Sequence, residues 1–207
     1  KYLSQILVSR KIFFIQRRYE KIIWSFHNNN RTNMTYKKIH FVGIKGVGMT
    51  PLAIIAKEAG FLVTGSDIET KFITDETLSK VDIKPSVGFS EEHVIGADLV
   101  ITTGAHGGFS NIEVKKAREM GVKVLTQGEA VGFFMNGEIF NRKFTGISVC
   151  GTHGKTTTTA MVATILKYSG LDPSYLIGTS FIPSLGFPGH YGMGEYFVAE
   201  ADEYATE

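Results

Sequence analysis

Twice in these 207 residues an apolar strand runs into a glycine-rich turn that opens directly into a helical pattern, and few folds accommodate that unit. The first copy is Ile39-His40-Phe41-Val42, then Gly43-Ile44-Lys45-Gly46-Val47-Gly48, then a helix with Met49, Leu52, Ala53 and Ala56 on one face. Gly60 closes that helix. The second copy is Thr145–Cys150, then Gly151-Thr152-His153-Gly154, then a helix from Lys155 to Ser169 that Gly170 and Pro173 terminate. Strands are also expected at 61–64, 98–102, 122–125 and 196–199, and helices at 111–120 and 129–135. Strands alternating with helices of this length predict an α/β fold with a parallel sheet covered on both faces and right-handed crossovers.

The more polar stretch 136–144 is the expected boundary between two domains, one over 37–136 and one beginning at 144. The strand at 196–199 leads into the most acidic cluster of the chain, Glu200, Asp202 and Glu203. A compact domain seldom ends at such a point, so the second domain is expected to be truncated at 207.

Charge divides the chain differently. Residues 1–33 carry +6 and the remainder −4, so the formal net charge of +2 describes neither part. Three readings of 1–33 stand: an amphipathic basic helix over 2–26 that touches membrane or nucleic acid, a signal peptide, or an upstream extension before a start at Met34. Arg10, Lys11, Arg17 and Arg18 interrupt any signal-peptide core, and the third reading leaves 1–33 outside the fold. A nucleic-acid-binding arm would show strongly salt-dependent affinity that is lost on deleting it. An apolar share of 43% excludes wholesale disorder, and the single Cys150 excludes an intramolecular disulfide. No run of about 18 uncharged apolar residues occurs. A cytoplasmic protein is expected, with no nucleic-acid partner and no stable membrane association.

The second glycine turn has the chemistry of a phosphate loop. Glycines let backbone N–H groups converge on phosphate oxygens, and the following helix N-terminus adds unpaired donors and partial positive charge. In Gly151-Thr152-His153-Gly154-Lys155-Thr156-Thr157, Lys155 suits the β- and γ-phosphates and the Thr156 hydroxyl suits Mg²⁺. The longer general pattern asks for glycine where Val149 stands, so the match is to a shorter Gly-Thr-x-Gly-Lys-Thr variant. Glu200, Asp202 and Glu203, which follow the expected strand 196–199, offer a carboxylate for the same Mg²⁺, against the plain alternative of a solvated acidic loop.

Gly151–Thr159, together with Gly43–Met49, Gly65-Ser66-Asp67 and Glu200-Ala201-Asp202-Glu203, resembles the Mur ligase family, which extends the peptide of the cell-wall precursor. The resemblance covers about residues 37–204. It implies a Rossmann-like UDP-substrate domain at 37–136 and the opening of a P-loop ATPase domain at 144–207, with a further C-terminal domain in the complete enzyme. It also implies an ATP-dependent ligation, with Mg²⁺, of an amino acid to the carboxylate of UDP-N-acetylmuramate through an acyl phosphate. L-alanine is the expected amino acid. By position, Lys155 and His153 become the candidate catalytic residues, Gly151 to Thr157 the ATP site, and Thr156 and Glu200 the metal ligands. Gly46, Val47, Gly48 and Met49 would line the UDP diphosphate, and Asp67 would sit near the uridine. The first turn departs from the family, which has glycine where Lys45 stands; Lys45 either adds a cation near the diphosphate or points to solvent.

Plain structural roles stand beside these. Asp67 also reads as a turn acid, His153 as an oriented loop residue and Cys150 as a buried strand residue. Asn111 and Glu113 read as an N-cap and a dipole-complementing acid, and nothing more. Rival functions are a related ligase that attaches a peptide in cell-wall recycling, a non-catalytic UDP-sugar-binding module, and a dinucleotide-dependent oxidoreductase. The last leaves the second glycine loop unexplained.

Overall fold

The computed structural model describes residues 5–8 and 36–201. Its first sheet is wholly parallel, in the order β4-β3-β2-β5-β6, from β2 (Lys38–Val42), β3 (Leu62–Asp67), β4 (Ser86–Val87), β5 (Leu99–Thr102) and β6 (Lys123–Thr126). The chain steps outward from β2 to β3 and β4, then returns to the other side for β5 and β6. The carboxyl ends of β2 and β5 therefore flank the point where strand order reverses, the usual ligand crevice of such sheets.

Both faces are covered, which is why β5 opens as an unbroken apolar run and only the buried His40 interrupts Ile39, Phe41 and Val42 in β2. Helices α1 (Met49–Glu58) and α4 (Gln127–Met135) close one face over a core of Ile39, Phe41, Leu52, Ile55, Ile101 and Phe134. Helix α3 (Ile112–Glu119) closes the other over Val42, Val94, Val100, Val114 and Ala117. Each such large side chain contributes about 1.5–3 kcal/mol through burial.

The second sheet has the order β1-β7-β10-β8-β9, from β1 (Gln5–Val8), β7 (Thr145–Cys150), β8 (Ser174–Leu176), β9 (Gly189–His190) and β10 (Tyr196–Glu200). Its three inner strands are parallel and its two edges antiparallel. Helix α5 (Lys155–Tyr168) packs on β7 and β10. The edge strand β1 lies in the segment expected to stand outside the fold, and it pairs from Gln5↔Cys150 to Val8↔Ile147. The rest of that segment, including most of the helix considered over 2–26, falls outside the described residues.

The two sheets are joined by a shared core rather than by a loose linker. Every residue of α1 from Met49 to Ala56 is buried, as expected of a helix covered on all sides. One side lies on the first sheet and the other meets β8 and β9. A Cβ on Gly189 would collide with the Pro51 carbonyl, so only glycine permits that approach. The polar boundary 136–144 is itself pinned: Phe140 and Phe144 stack with Phe134, Tyr191 and Phe197, and the Arg142 guanidinium donates to the carbonyls of Gly192, Met193 and Gly194.

Helix α2 (Asp75–Lys80) and strands β4, β8 and β9 had no sequence signal, because two to six residues are too few to show a period. Helix α4 starts two residues before its expected first residue, since Thr126 and Glu129 form a reciprocal capping box. Among the described residues no helix is long and apolar enough to cross a membrane.

Candidate functional site

Strand β7 delivers the chain to its glycine turn, and Gly154, with φ of +77°, takes the left-handed conformation from which α5 departs. The Lys155 ammonium folds back and donates to the Gly151 carbonyl at 3.1 Å. The Thr156 hydroxyl donates to Glu200 Oε2 at 3.1 Å, while the Gly178 N–H donates to Glu200 Oε1 at 2.7 Å. Both oxygens of a carboxylate that is only 7% exposed are thereby engaged. A buried acid at a strand end needs such partners.

These groups line a cleft of about 320 Å³ whose walls are Val47, Gly48, Thr152, His153, Gly154, Lys155, Thr156, Gly178 and Glu200. The two glycine turns therefore face one another, although a hundred residues separate them. The N–H groups of Val47 and Gly48 meet no acceptor among the described residues, and α1 begins immediately after them. Two helix N-termini thus open on one space, an arrangement suited to anionic phosphates. The Glu200 carboxylate and Thr156 hydroxyl are hard oxygen donors that fit a small divalent cation. No group of three His, Cys, Asp or Glu residues gathers for a metal among the described residues, so such an ion would complete its shell from phosphate and water. Asp202 and Glu203 lie outside the described residues.

Not every expected residue joins the cleft. Thr157 is exposed beside it, and Gly151 stands behind Lys155 as its acceptor. Met49 buries its side chain in the core, 2% exposed, and its N–H is taken by the Gly46 carbonyl at 2.9 Å. The Gly46 amide is used within the turn, at 3.2 Å from the Gly43 carbonyl.

Lys45 takes neither of the roles foreseen for it. It is 9% exposed, and its ammonium donates to the carbonyls of Ile68 at 3.0 Å and Thr70 at 3.1 Å, with Asp75 at 3.5 Å. The side chain is a strut between the first glycine turn and the segment after β3. Asp67 is likewise spent on the protein: it is 1% exposed, accepts from the Lys45 and Ile68 N–H groups at 2.8 Å each, and has His106 Nε2 at 3.4 Å.

Glu113 does more than complement a helix dipole. Asn111 caps α3 as expected, accepting from the Glu113 N–H at 2.9 Å. The fully buried Glu113 carboxylate, however, gathers His40 at 3.3 Å, the Ser66 hydroxyl at 2.5 Å, His93 at 2.6 Å and the Ser90 N–H at 3.2 Å. Burial pushes its pKa upward, but the hydrogen bonds from His40, Ser66 and His93 outweigh it and hold the carboxyl below its ordinary value. Sequence reasoning missed Gly178 and His106 as well. A glycine just after a three-residue strand carries no local signal, but His106 follows β5 at the strand-order reversal and was open to discovery by that rule.

The chain belongs to the Mur ligase family: residues 38–138, the first sheet and its helices, match the family described as Mur ligase family, catalytic domain. It is 42% identical over 167 residues to a UDP-N-acetylmuramate–L-alanine ligase of Desulfitobacterium hafniense, covering 80% of this chain and 35% of that protein. A protein of the same name from Caldanaerobacter subterraneus is 42% identical over 170 residues, covering 82% and 35%. Among solved structures, the UDP-N-acetylmuramate–alanine ligase of Thermotoga maritima superposes with a TM-score of 0.67 at 35% identity, over 79% of this chain and 36% of that one. The UDP-N-acetylmuramate:L-alanyl-gamma-D-glutamyl-meso-diaminopimelate ligase from Neisseria meningitides gives 0.66 at 30% identity, over 82% and 53%. The chain spans about a third of the length of the curated relatives it matches.

Proposed function

We propose that this chain carries the UDP-substrate and ATP sites of a cytoplasmic ligase that joins L-alanine to the carboxylate of UDP-N-acetylmuramate. The observation that carries the reading is the convergence of Lys155, Thr156 and Glu200 with Val47 and Gly48 on one cleft. That cleft brings an ATP-type loop against the helix terminus expected to hold the UDP diphosphate. In this reading the muramoyl carboxylate attacks the γ-phosphorus of ATP, ADP leaves, and the alanine amine then displaces phosphate from the acyl phosphate. The loop amides and Lys155 bind the phosphates and stabilise the charge on the transferred group. Thr156 and Glu200 would hold Mg²⁺, which would supply neutralisation of phosphate charge when bound. His153 lies on the wall of the same cleft, within the loop that positions the nucleotide. Lys155 acts by position and charge, so its loss removes binding energy as well as rate.

The test is calorimetric titration of the chain with ATP in excess Mg²⁺, and separately with UDP-N-acetylmuramate. Lys155→Ala is expected to weaken ATP binding at least about tenfold, as befits loss of a charge-assisted contact, and to leave UDP-N-acetylmuramate binding intact. Equal ATP affinity in the variant overturns the assignment of the loop.

A further inference from the structure

The residue expected to read the uridine, Asp67, has both carboxylate oxygens committed to the protein. What it holds in place is informative. His106 lies in the loop that leaves β5, beside the first glycine turn, where the strand order reverses. A Cβ on Gly43 would touch the His106 ring, so the two loops are in close approach there. His106 adopts φ of +56°, a left-handed conformation that costs a histidine about 1–2 kcal/mol and persists only where its surroundings impose it. The surroundings are evident. Asp67 Oδ1 stands 3.4 Å from Nε2, the Phe89 ring packs beside the imidazole with centroids 5.5 Å apart, and the His106 carbonyl accepts from the Asn111 side chain at 3.1 Å. The imidazole is 21% exposed, and its Nδ1 has no partner among the described residues.

We propose that His106, aimed by Asp67 and backed by Phe89, is a side chain of the first domain that contacts the nucleoside diphosphate part of the substrate. Asp67 is then a positioning residue. With Nε2 turned to the carboxylate, Nδ1 is left for a ligand, accepting from a hydroxyl or ring N–H when neutral and donating to a phosphate oxygen when protonated. The substrate would then meet the Val47 and Gly48 amides from one loop and an imidazole from the other. The inference rests on the reading of 37–136 as a UDP-substrate domain.

The experiment compares the unmodified chain with His106→Asn and His106→Gly, titrating UDP-N-acetylmuramate, UDP and uridine, with ATP–Mg²⁺ as reference. Asparagine and glycine both accept a left-handed backbone, so the loop survives while the imidazole is lost. The expected result is about tenfold weaker binding of UDP-N-acetylmuramate and UDP in both variants, the size of one good polar contact, with unchanged thermal stability and ATP affinity. Uridine losing the same factor locates the contact on the nucleoside, and uridine losing nothing locates it on the diphosphate; either supports the proposal. Variants that bind UDP and UDP-N-acetylmuramate within twofold of the unmodified chain overturn it and leave the function standing. An unmodified chain that binds no uridine compound overturns both together.

Discussion

The two glycine turns are built alike and used differently. Each follows a buried strand, each contains a left-handed glycine, at φ +79° in Gly43 and +77° in Gly154, and each carries one lysine. The first is folded in on itself. The N–H groups of Gly43 and Ile44 both reach the Ser66 carbonyl, the Thr50 hydroxyl donates to the Ile44 carbonyl, the Thr74 hydroxyl donates to the Lys45 carbonyl, and Lys45 spends its charge on backbone oxygens. The second is open, with Lys155, Thr156 and Glu200 on the wall of a cleft. The same backbone device serves as a packed support for two amides in one case and as a polar cradle in the other. The difference lies in what surrounds each turn: β3, β5 and the start of α2 crowd the first, while Lys155 and its neighbours border open space.

Glycine substitutions break the comparison most sharply. Gly43→Ala combines left-handed strain with a collision against the Thr103 methyl, and is expected to cost about 2–4 kcal/mol in denaturant unfolding. Gly154→Ala meets nothing within 4 Å and is expected to cost about 1 kcal/mol, from backbone strain alone. Equal costs would mean that the first turn is no better packed than the second.

The lysines come next. Lys45→Met leaves the Ile68 and Thr70 carbonyls without the ammonium donor and Asp75 without its ion partner, and is expected to lower stability by about 1–3 kcal/mol while sparing ATP binding. Lys155→Met is expected to do the reverse, changing the unfolding midpoint little and weakening ATP affinity at least about tenfold. A thermal melt and a titration on each variant separate the two roles.

The smallest effect concerns how firmly the turns are held face to face. Helix α1 ends at Glu58, whose carboxylate accepts from the His190 ring at 2.8 Å and from the Tyr191 N–H at 2.7 Å, while Asp172 faces the other ring nitrogen at 3.3 Å. Glu58 hydrogen bonding raises the His190 pKa, burial opposes it, and Asp172 adds to the rise. A raised histidine stabilises the fold fully below its unfolded value of about 6.5, and that contribution fades as pH climbs through the folded value. The melting temperature is therefore expected to fall modestly from pH 6 to pH 8.5, and to fall less in His190→Gln.

Much of this protein is legible in its residues. Strand β2, helix α1, strand β7 and helix α5 follow from apolar runs and 3.6-residue spacing, and the proposal of a phosphate loop follows from glycines, Lys155 and Thr156 within seven positions. Those signals are local, and local chemistry suffices to produce them. Glu200 was legible only through its place after a strand. Gly178 was not, because its amide matters solely for where β8 ends beside β10.

What the residue order determined by itself is the alternation of strands and helices and the glycine-, lysine- and threonine-bearing turn at 151–156. Only the tertiary structure decided that Val47 and Gly48 face that loop, that Lys45 and Asp67 are consumed within the protein, and that Glu113 gathers two histidines. The physical reason is distance along the chain. Propensity and periodicity act over a few residues, whereas the burial that sets the partners of each carboxylate joins groups 22 to 73 positions apart.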